Sequence, residues 1–230
     1  MKGDRDRASA DLFPADRLLY AIYPGPVEGP GDIEGCVRAL CSAGAGMIQY
    51  REEHLGDGEA LAVARRMVAA ARPWPVPVVM NDRADLARLS GVHGVHLGQD
   101  DLPVGAARGL LEPGSVVGVS VDTAREAEEA SAAGADYVSL GPAYPTTTKP
   151  DVPGPRSLDL YRELAEGLEV PLVAIGGIDE ENLGPLIGAG VTAVAVISAL
   201  YREDAVEGRA RALVEAIRRA RTSDREQGRP

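Results

Sequence analysis

The 230-residue chain is poor in aromatic carbon, sulfur and imidazole: it holds one phenylalanine, Phe13, one tryptophan, Trp74, two cysteines and three histidines. Apolar residues still make up 45% of the chain, so its core must be built mainly from aliphatic side chains. Cys36 and Cys41 share one amphipathic segment; two cysteines are too few for a disulfide framework, and both read as buried thiols. His54, His93 and His96 lack metal-ligand spacing, and His96 falls inside an apolar run, where a satisfied core imidazole is expected. No apolar stretch reaches the ~20 residues that span a bilayer, and the charged segment MKGDRDRASADLFPADR has no apolar stretch of the kind a secretory signal carries. Excess positive charge is missing too. A formal net charge of −11 weighs against general affinity for nucleic acid or a membrane surface, and an anionic ligand would need a locally positive or metal-lined pocket. A Ser-His-Asp arrangement, a Walker A loop and a dinucleotide fingerprint are absent as well. These absences lead to the expectation of a soluble, cytoplasmic protein.

What is present is regular. Eight short apolar runs read as strands: LLYAIY (18–23), MIQYR (47–51), PVVMN (77–81), GVHLG (94–98), VVGVSV (116–121), YVSLG (137–141), PLVAIGG (171–177) and AVAVISAL (193–200). Most are continuous in Val, Ile and Leu, the pattern of parallel strands buried on both faces. Amphipathic segments lie between them, several opening on a residue able to cap a helix, such as Asp32, Asp122 or Ser157. Eight β/α units in this length predict a single (β/α)8 TIM barrel over residues 17–220, between polar tails at 1–16 and 221–230. A doubly wound open sheet is the alternative, but it rarely uses eight regular units.

In such a barrel the chemistry gathers where strands end, and the exits here are chemically coherent. Gln49 and Arg51 alternate at the second exit and so share a face. Asn81 and Asp82 close the third strand, and Asp100 and Asp101 follow the fourth. Neighbouring strands are ~5 Å apart, so carboxylates at those two exits can meet one cation. Spacing does not choose between Asp100 and Asp101, and the plainer alternatives are a helix cap for Asp82 and a solvated turn for the pair. GPAYPTTTKPD (141–151) presents hydroxyls and one ammonium in a proline-stiffened loop. Gly176–Gly177, and Ile197–Ser198 late in the eighth strand, occupy exits where barrels often bind phosphate on backbone N–H groups.

Together, QYREE, NDR, HLGQDD, GVS, GPAYPTTTKP and GGI, in that order over about residues 18–200, resemble the thiamine-phosphate synthase (thiamine-phosphate pyrophosphorylase) family. The resemblance implies a transferase that joins hydroxymethylpyrimidine diphosphate to hydroxyethylthiazole phosphate, giving thiamine phosphate and pyrophosphate. Carried across by position, Asp82 and Asp101 would hold Mg²⁺. Gln49, Arg51, Asn81, Ser120 and Lys149 would meet the pyrimidine diphosphate, with Ser120, Arg51 and Lys149 counted as catalytic. Thr146, Thr148, Gly176, Ile197 and Ser198 would receive the thiazole phosphate. The implied partners are these two small molecules, with no nucleic acid and no membrane; a homo-oligomer stays open. Glu53 departs from the family pattern, which has lysine there, and three outcomes are open: Glu53 turns to solvent while Arg51, Lys149 and Mg²⁺ carry the anion, which is the favoured expectation; it pairs with Arg51 or Arg83 and weakens binding; or the protein is no longer an efficient synthase. Two other readings compete. One is a thiazole tautomerase-like isomerase, which would want a histidine where Asp122 stands; the other is a non-catalytic thiamine- or thiazole-phosphate-binding barrel.

Overall fold

The computed structural model describes residues 12–146, 154–202 and 205–226. Eight parallel strands, β1 (Leu19–Tyr23), β2 (Ala45–Tyr50), β3 (Val78–Asn81), β4 (Gly94–Leu97), β5 (Val116–Val121), β6 (Tyr137–Leu140), β7 (Leu172–Ile175) and β8 (Ala193–Val196), pair in chain order and close on themselves, β8 against β1. The helices that return the chain are α1 (Ile33–Ala43), α2 (Asp57–Ala71), α3 (Ala84–Ser90), α4 (Val104–Leu110), α5 (Ala124–Ala132), α6 (Leu158–Gly167), α7 (Gly184–Gly188) and α8 (Val206–Glu226). A short helical turn at Gly25–Glu28 precedes α1. The expected TIM barrel is thus the observed fold. Its strands are buried almost throughout because helices cover their outer faces while inward side chains fill the barrel. Cys36 and Cys41 are free, buried thiols on α1, as expected.

The ends of several elements differ from the sequence reading, each for a local reason. Phe13, four residues before the expected barrel boundary, is buried and lies edge-on to Tyr137 and tilted against Tyr20, so it belongs to the barrel's packed interior. At the other end α8 continues to Glu226, beyond residue 220. β8 stops at Val196; Ile197 and Ser198 are not strand residues but the start of a 3₁₀ turn over Ser198–Leu200. Asp32 and Ser157 do cap α1 and α6, but α5 is capped by Thr123 rather than Asp122. Glu126 explains the shift: its backbone N–H donates to the Thr123 hydroxyl at 3.2 Å while its carboxylate accepts from the Asp122 N–H at 2.7 Å. That leaves the Asp122 side chain for another partner.

Inside the barrel, size is traded between neighbours. Gly118 on β5 pairs with Tyr137 on β6, and a Cβ at Gly118 would sit 2.0 Å from the Tyr137 ring. The glycine of the GVS run therefore exists to admit a tyrosine ring, and that ring carries a hydroxyl to the barrel axis.

Candidate active site

One cavity of about 630 Å³ opens at the C-terminal ends of the strands. Gln49, Arg51, Asn81, Asp82, Asp101, Ser120, Thr146, Gly176, Ile197 and Ser198 all line it. Thr148 and Lys149 lie outside the described residues. Ten of the twelve expected positions therefore converge on one space, although they come from seven different strand exits.

Asp82 follows β3 with φ 59°, a left-handed conformation that aspartate tolerates better than most residues. Its N–H donates to the His96 carbonyl at 2.7 Å, which carries the strand pairing one residue past β3. It does not cap α3, whose N-terminal position is Arg83 without a side-chain cap. Loss of water around its carboxyl, then contact with the Asp101 carboxyl, raises the pKa of Asp82 well above the ordinary aspartate value. Asp101 is the inward member of its pair: its Oδ2 accepts from the Gly98 N–H at 2.6 Å, whereas Asp100 is exposed. The cap alternative therefore fails for Asp82, the solvated turn holds for Asp100 but not for Asp101, and the Asp82 and Asp101 carboxylates meet.

This pair suits Mg²⁺, which takes one or two carboxylates and completes its shell with water and phosphate oxygens. Two crowded carboxylates are also the arrangement that a cation relieves. Among the described residues there is no group of three or more His, Cys, Asp or Glu side chains that would form an all-protein cage. The charges around the cavity agree: among the described residues, Glu53, Asp82, Asp100, Asp101 and Asp122 line it against the single guanidinium of Arg51.

Glu53 does not stand clear of Arg51 as expected. It accepts from Arg51 Nε at 2.8 Å while its own side chain remains 54% exposed. Two residues apart on an extended exit, the side chains share a face, and opposite charges there attract. Asp122 is likewise engaged, accepting from Arg156 Nη2 at 2.7 Å.

The opposite wall is built from backbone. After β6 the loop residues Ala143 and Tyr144 donate to the Ile175 and Gly176 carbonyls at 2.8 and 3.0 Å, extending the β6–β7 pairing beyond the strands. The Tyr144 hydroxyl donates to the Asn182 carbonyl at 2.6 Å, and Asn182 Nδ2 returns to the Gly177 carbonyl at 2.8 Å. Gly176 and Gly177 have φ of 98° and 64°. A Cβ would come within 2.6 Å of Pro142 at the first and 2.5 Å of the Pro145 carbonyl at the second. Both glycines are required by sign of φ and by space, and Thr146, Ile197 and Ser198 line the same cavity as Gly176 and Gly177.

Below these groups lies a polar floor, of which the sequence reading had singled out Gln49 and Ser120 as ligand contacts and His96 as core. Gln49, 3% exposed, donates from Nε2 to the Tyr20 hydroxyl at 2.6 Å, and the Tyr20 and Tyr137 hydroxyls are 2.7 Å apart. His96, 6% exposed, meets the Tyr137 hydroxyl through Nδ1 and the Ser120 hydroxyl through Nε2, each at 2.9 Å. Burial lowers the His96 pKa to about 4, so the ring is neutral. The expected satisfied core imidazole is what is found, but it touches the cavity. Ser139, the register neighbour of Ser120, is 2% exposed, lines the same cavity, and its hydroxyl has no partner among the described residues. The signal for this floor was available: Tyr20, Gln49, His96, Ser120, Tyr137 and Ser139 are polar side chains within strands otherwise made of aliphatic ones.

The model of the thiamine monophosphate synthase family matches residues 19–200. Among curated relatives, a thiamine biosynthesis bifunctional protein of Symbiobacterium thermophilum is 43% identical over 90% of this chain, which spans only 42% of that longer protein. A thiamine-phosphate synthase of Clostridium novyi is 38% identical over 85% of this chain and 96% of its own length. Among solved structures, a thiamine phosphate pyrophosphorylase from Pyrococcus furiosus superposes with a TM-score of 0.79 at 30% identity, covering 90% of this chain and 98% of the other.

Proposed function

Since the chain belongs to the thiamine monophosphate synthase family and is an enzyme of thiamine phosphate synthesis, we propose that its cavity joins hydroxymethylpyrimidine diphosphate to hydroxyethylthiazole phosphate. The observation that carries this is the meeting of an acidic pair, a guanidinium, a polar floor and a glycine-built wall around one space. The bond from the pyrimidine methylene carbon to the diphosphate oxygen breaks, leaving a cation that the ring electrons stabilise. The thiazole nitrogen donates its electron pair to that carbon, the new C–N bond forms, and pyrophosphate departs. No strong base or nucleophile is needed from the protein; charge stabilisation and alignment are.

Asp82 and Asp101 would hold Mg²⁺, which when bound supplies positive charge to the departing diphosphate. Arg51 and Lys149 add cationic donors for the same oxygens, and Gln49, Asn81 and Ser120 hold the pyrimidine. Thr146, Thr148 and the backbone N–H groups at Gly176, Ile197 and Ser198 take the thiazole phosphate, with the nitrogen facing the methylene. The protein acts in solution on small molecules, in the cytoplasm. Asp122 is tied to Arg156, so it is not a free general base at that exit, which weighs against an isomerase.

The test is pyrophosphate release with both substrates, and with each alone, in the presence of Mg²⁺. Release should require both substrates and the metal, and Asp101→Ala should abolish it without changing the thermal midpoint by more than a few degrees. Full activity in Asp101→Ala would remove that residue from the metal role. Absence of release from the wild-type protein would overturn the reaction itself.

A further inference from the structure

The floor of the cavity has a direction. Gln49 donates to the Tyr20 oxygen. Tyr20 is fully buried and, among the described residues, its only other hydroxyl contact is Tyr137, so its own proton must go to Tyr137 or remain unpaired. A buried donor left without a partner costs ~1–3 kcal/mol, which decides the sense of that bond. Tyr137, having accepted, spends its proton on His96 Nδ1. A neutral imidazole that accepts at Nδ1 carries its hydrogen on Nε2, and that hydrogen points at the Ser120 oxygen. Ser120 is then an acceptor from below, and its single proton is left for the cavity. Gln99 Nε2 donates to the Ser120 carbonyl at 2.5 Å, and Gly118 leaves room for the Tyr137 ring in the middle of the chain.

We propose that Tyr20, Tyr137 and His96 are positioning residues: a one-way hydrogen-bond relay from Gln49 that holds Ser120 as a hydrogen-bond donor toward the bound ligand. The ligand atom that takes the Ser120 proton is accordingly an acceptor, such as a ring nitrogen of a heteroaromatic substrate. The relay is a property of the free protein; only the identity of the group above Ser120 rests on the function proposed above.

Two measurements test it. Long-range ¹H–¹⁵N spectra of histidine-labelled protein without substrate, with the His96 signals assigned by their loss in His96→Gln, should show a neutral ring protonated at Nε2. A ring protonated at Nδ1 would donate to Tyr137 and accept from Ser120, which reverses the bonds on either side of His96 and overturns the proposal. The second measurement is calorimetric binding of the pyrimidine diphosphate, with Mg²⁺, to Tyr137→Phe, Ser120→Ala and the double variant. Tyr137→Phe should weaken binding about five- to tenfold, the range of one neutral hydrogen bond, and should add nothing once Ser120 is replaced by alanine. Tyr20→Phe, which cuts the relay one step earlier, serves if Tyr137→Phe does not fold. Equal losses with Ser120 intact and with the Ser120→Ala change already made would mean that the tyrosine only supports packing, and would sink the relay. If the wild-type protein fails to bind the pyrimidine diphosphate, the assigned ligand is wrong, and the tautomer alone decides whether the relay stands.

Discussion

Arg51 is the only guanidinium among the described cavity residues, and Glu53 already holds it. A diphosphate must compete for that side chain with a carboxylate two residues away. The pair sits at a wet rim, with side chains 23% and 54% exposed, so its strength is that of a surface ion pair, ~0.2–1 kcal/mol. Glu53→Gln should therefore lower the KM for the pyrimidine diphosphate by up to about fivefold and leave that for the thiazole phosphate unchanged. Glu53→Lys, which adds a cation, should lower it further. Steady-state kinetics with each substrate varied in turn will read this, and an unchanged KM in both variants would show that the native pair does not compete with substrate. The position of Glu53 was legible in sequence as a departure from the resemblance, and Arg51 as one of its candidate partners, but the choice among solvent, Arg51 and Arg83 was not. Which way an exposed carboxylate turns depends on a neighbour's charge at ångström range, and a one-dimensional pattern carries no such distance.

Elements, by contrast, were largely written in the chain. Strands buried on both faces cannot alternate, and eight aliphatic runs separated by helical segments left few other closures. The misplaced ends are instructive. Ile197 and Ser198 follow AVAV with two more apolar residues nearby, so hydropathy continues after the backbone has turned into the 3₁₀ segment. Asp122 and Thr123 are both good caps, and only the reach of Glu126 selects Thr123. Phe13 was hidden because one aromatic in a charged segment has no periodicity to betray its burial. The rigid wall between the exits of β6 and β7 yields a test at this scale. Gly177→Ala would place a Cβ 2.5 Å from the Pro145 carbonyl at φ 64°. The loop must shift or the residue must strain, at ~1–3 kcal/mol. Denaturant unfolding should show a loss in that range, and the KM for the thiazole phosphate should rise while that for the pyrimidine diphosphate holds. A variant as stable as wild type with unchanged kinetics would mean that the loop yields freely and that the glycine pair is not what shapes this wall.

At the scale of the whole molecule the problem is charge. The chain carries a formal −11, and the described cavity residues repeat the imbalance, with five carboxylates against one guanidinium. Both proposed substrates are polyanions. At ~0.01 M salt the screening length is ~30 Å, about the width of a domain, so the entire surface repels them; at ~0.15 M it shrinks to ~8 Å and only the cavity's own charges matter. Even one further cation would not offset five carboxylates. Mg²⁺ held by Asp82 and Asp101 would change the sign where it counts, because it would supply positive charge beside the acidic pair. Calorimetric titration of the pyrimidine diphosphate should therefore give no measurable binding in EDTA at low salt and clear binding once Mg²⁺ is added. In EDTA, raising the salt should bring a weak signal up, opposite to the usual weakening of attraction between unlike charges. The double variant Asp82→Asn, Asp101→Asn separates repulsion from coordination: it should bind the diphosphate in EDTA better than the wild type does, yet gain nothing from Mg²⁺. Wild-type binding that is equally tight with and without the metal would show that the cations of Arg51 and Lys149 suffice, and that the acidic pair serves some other purpose at the rim.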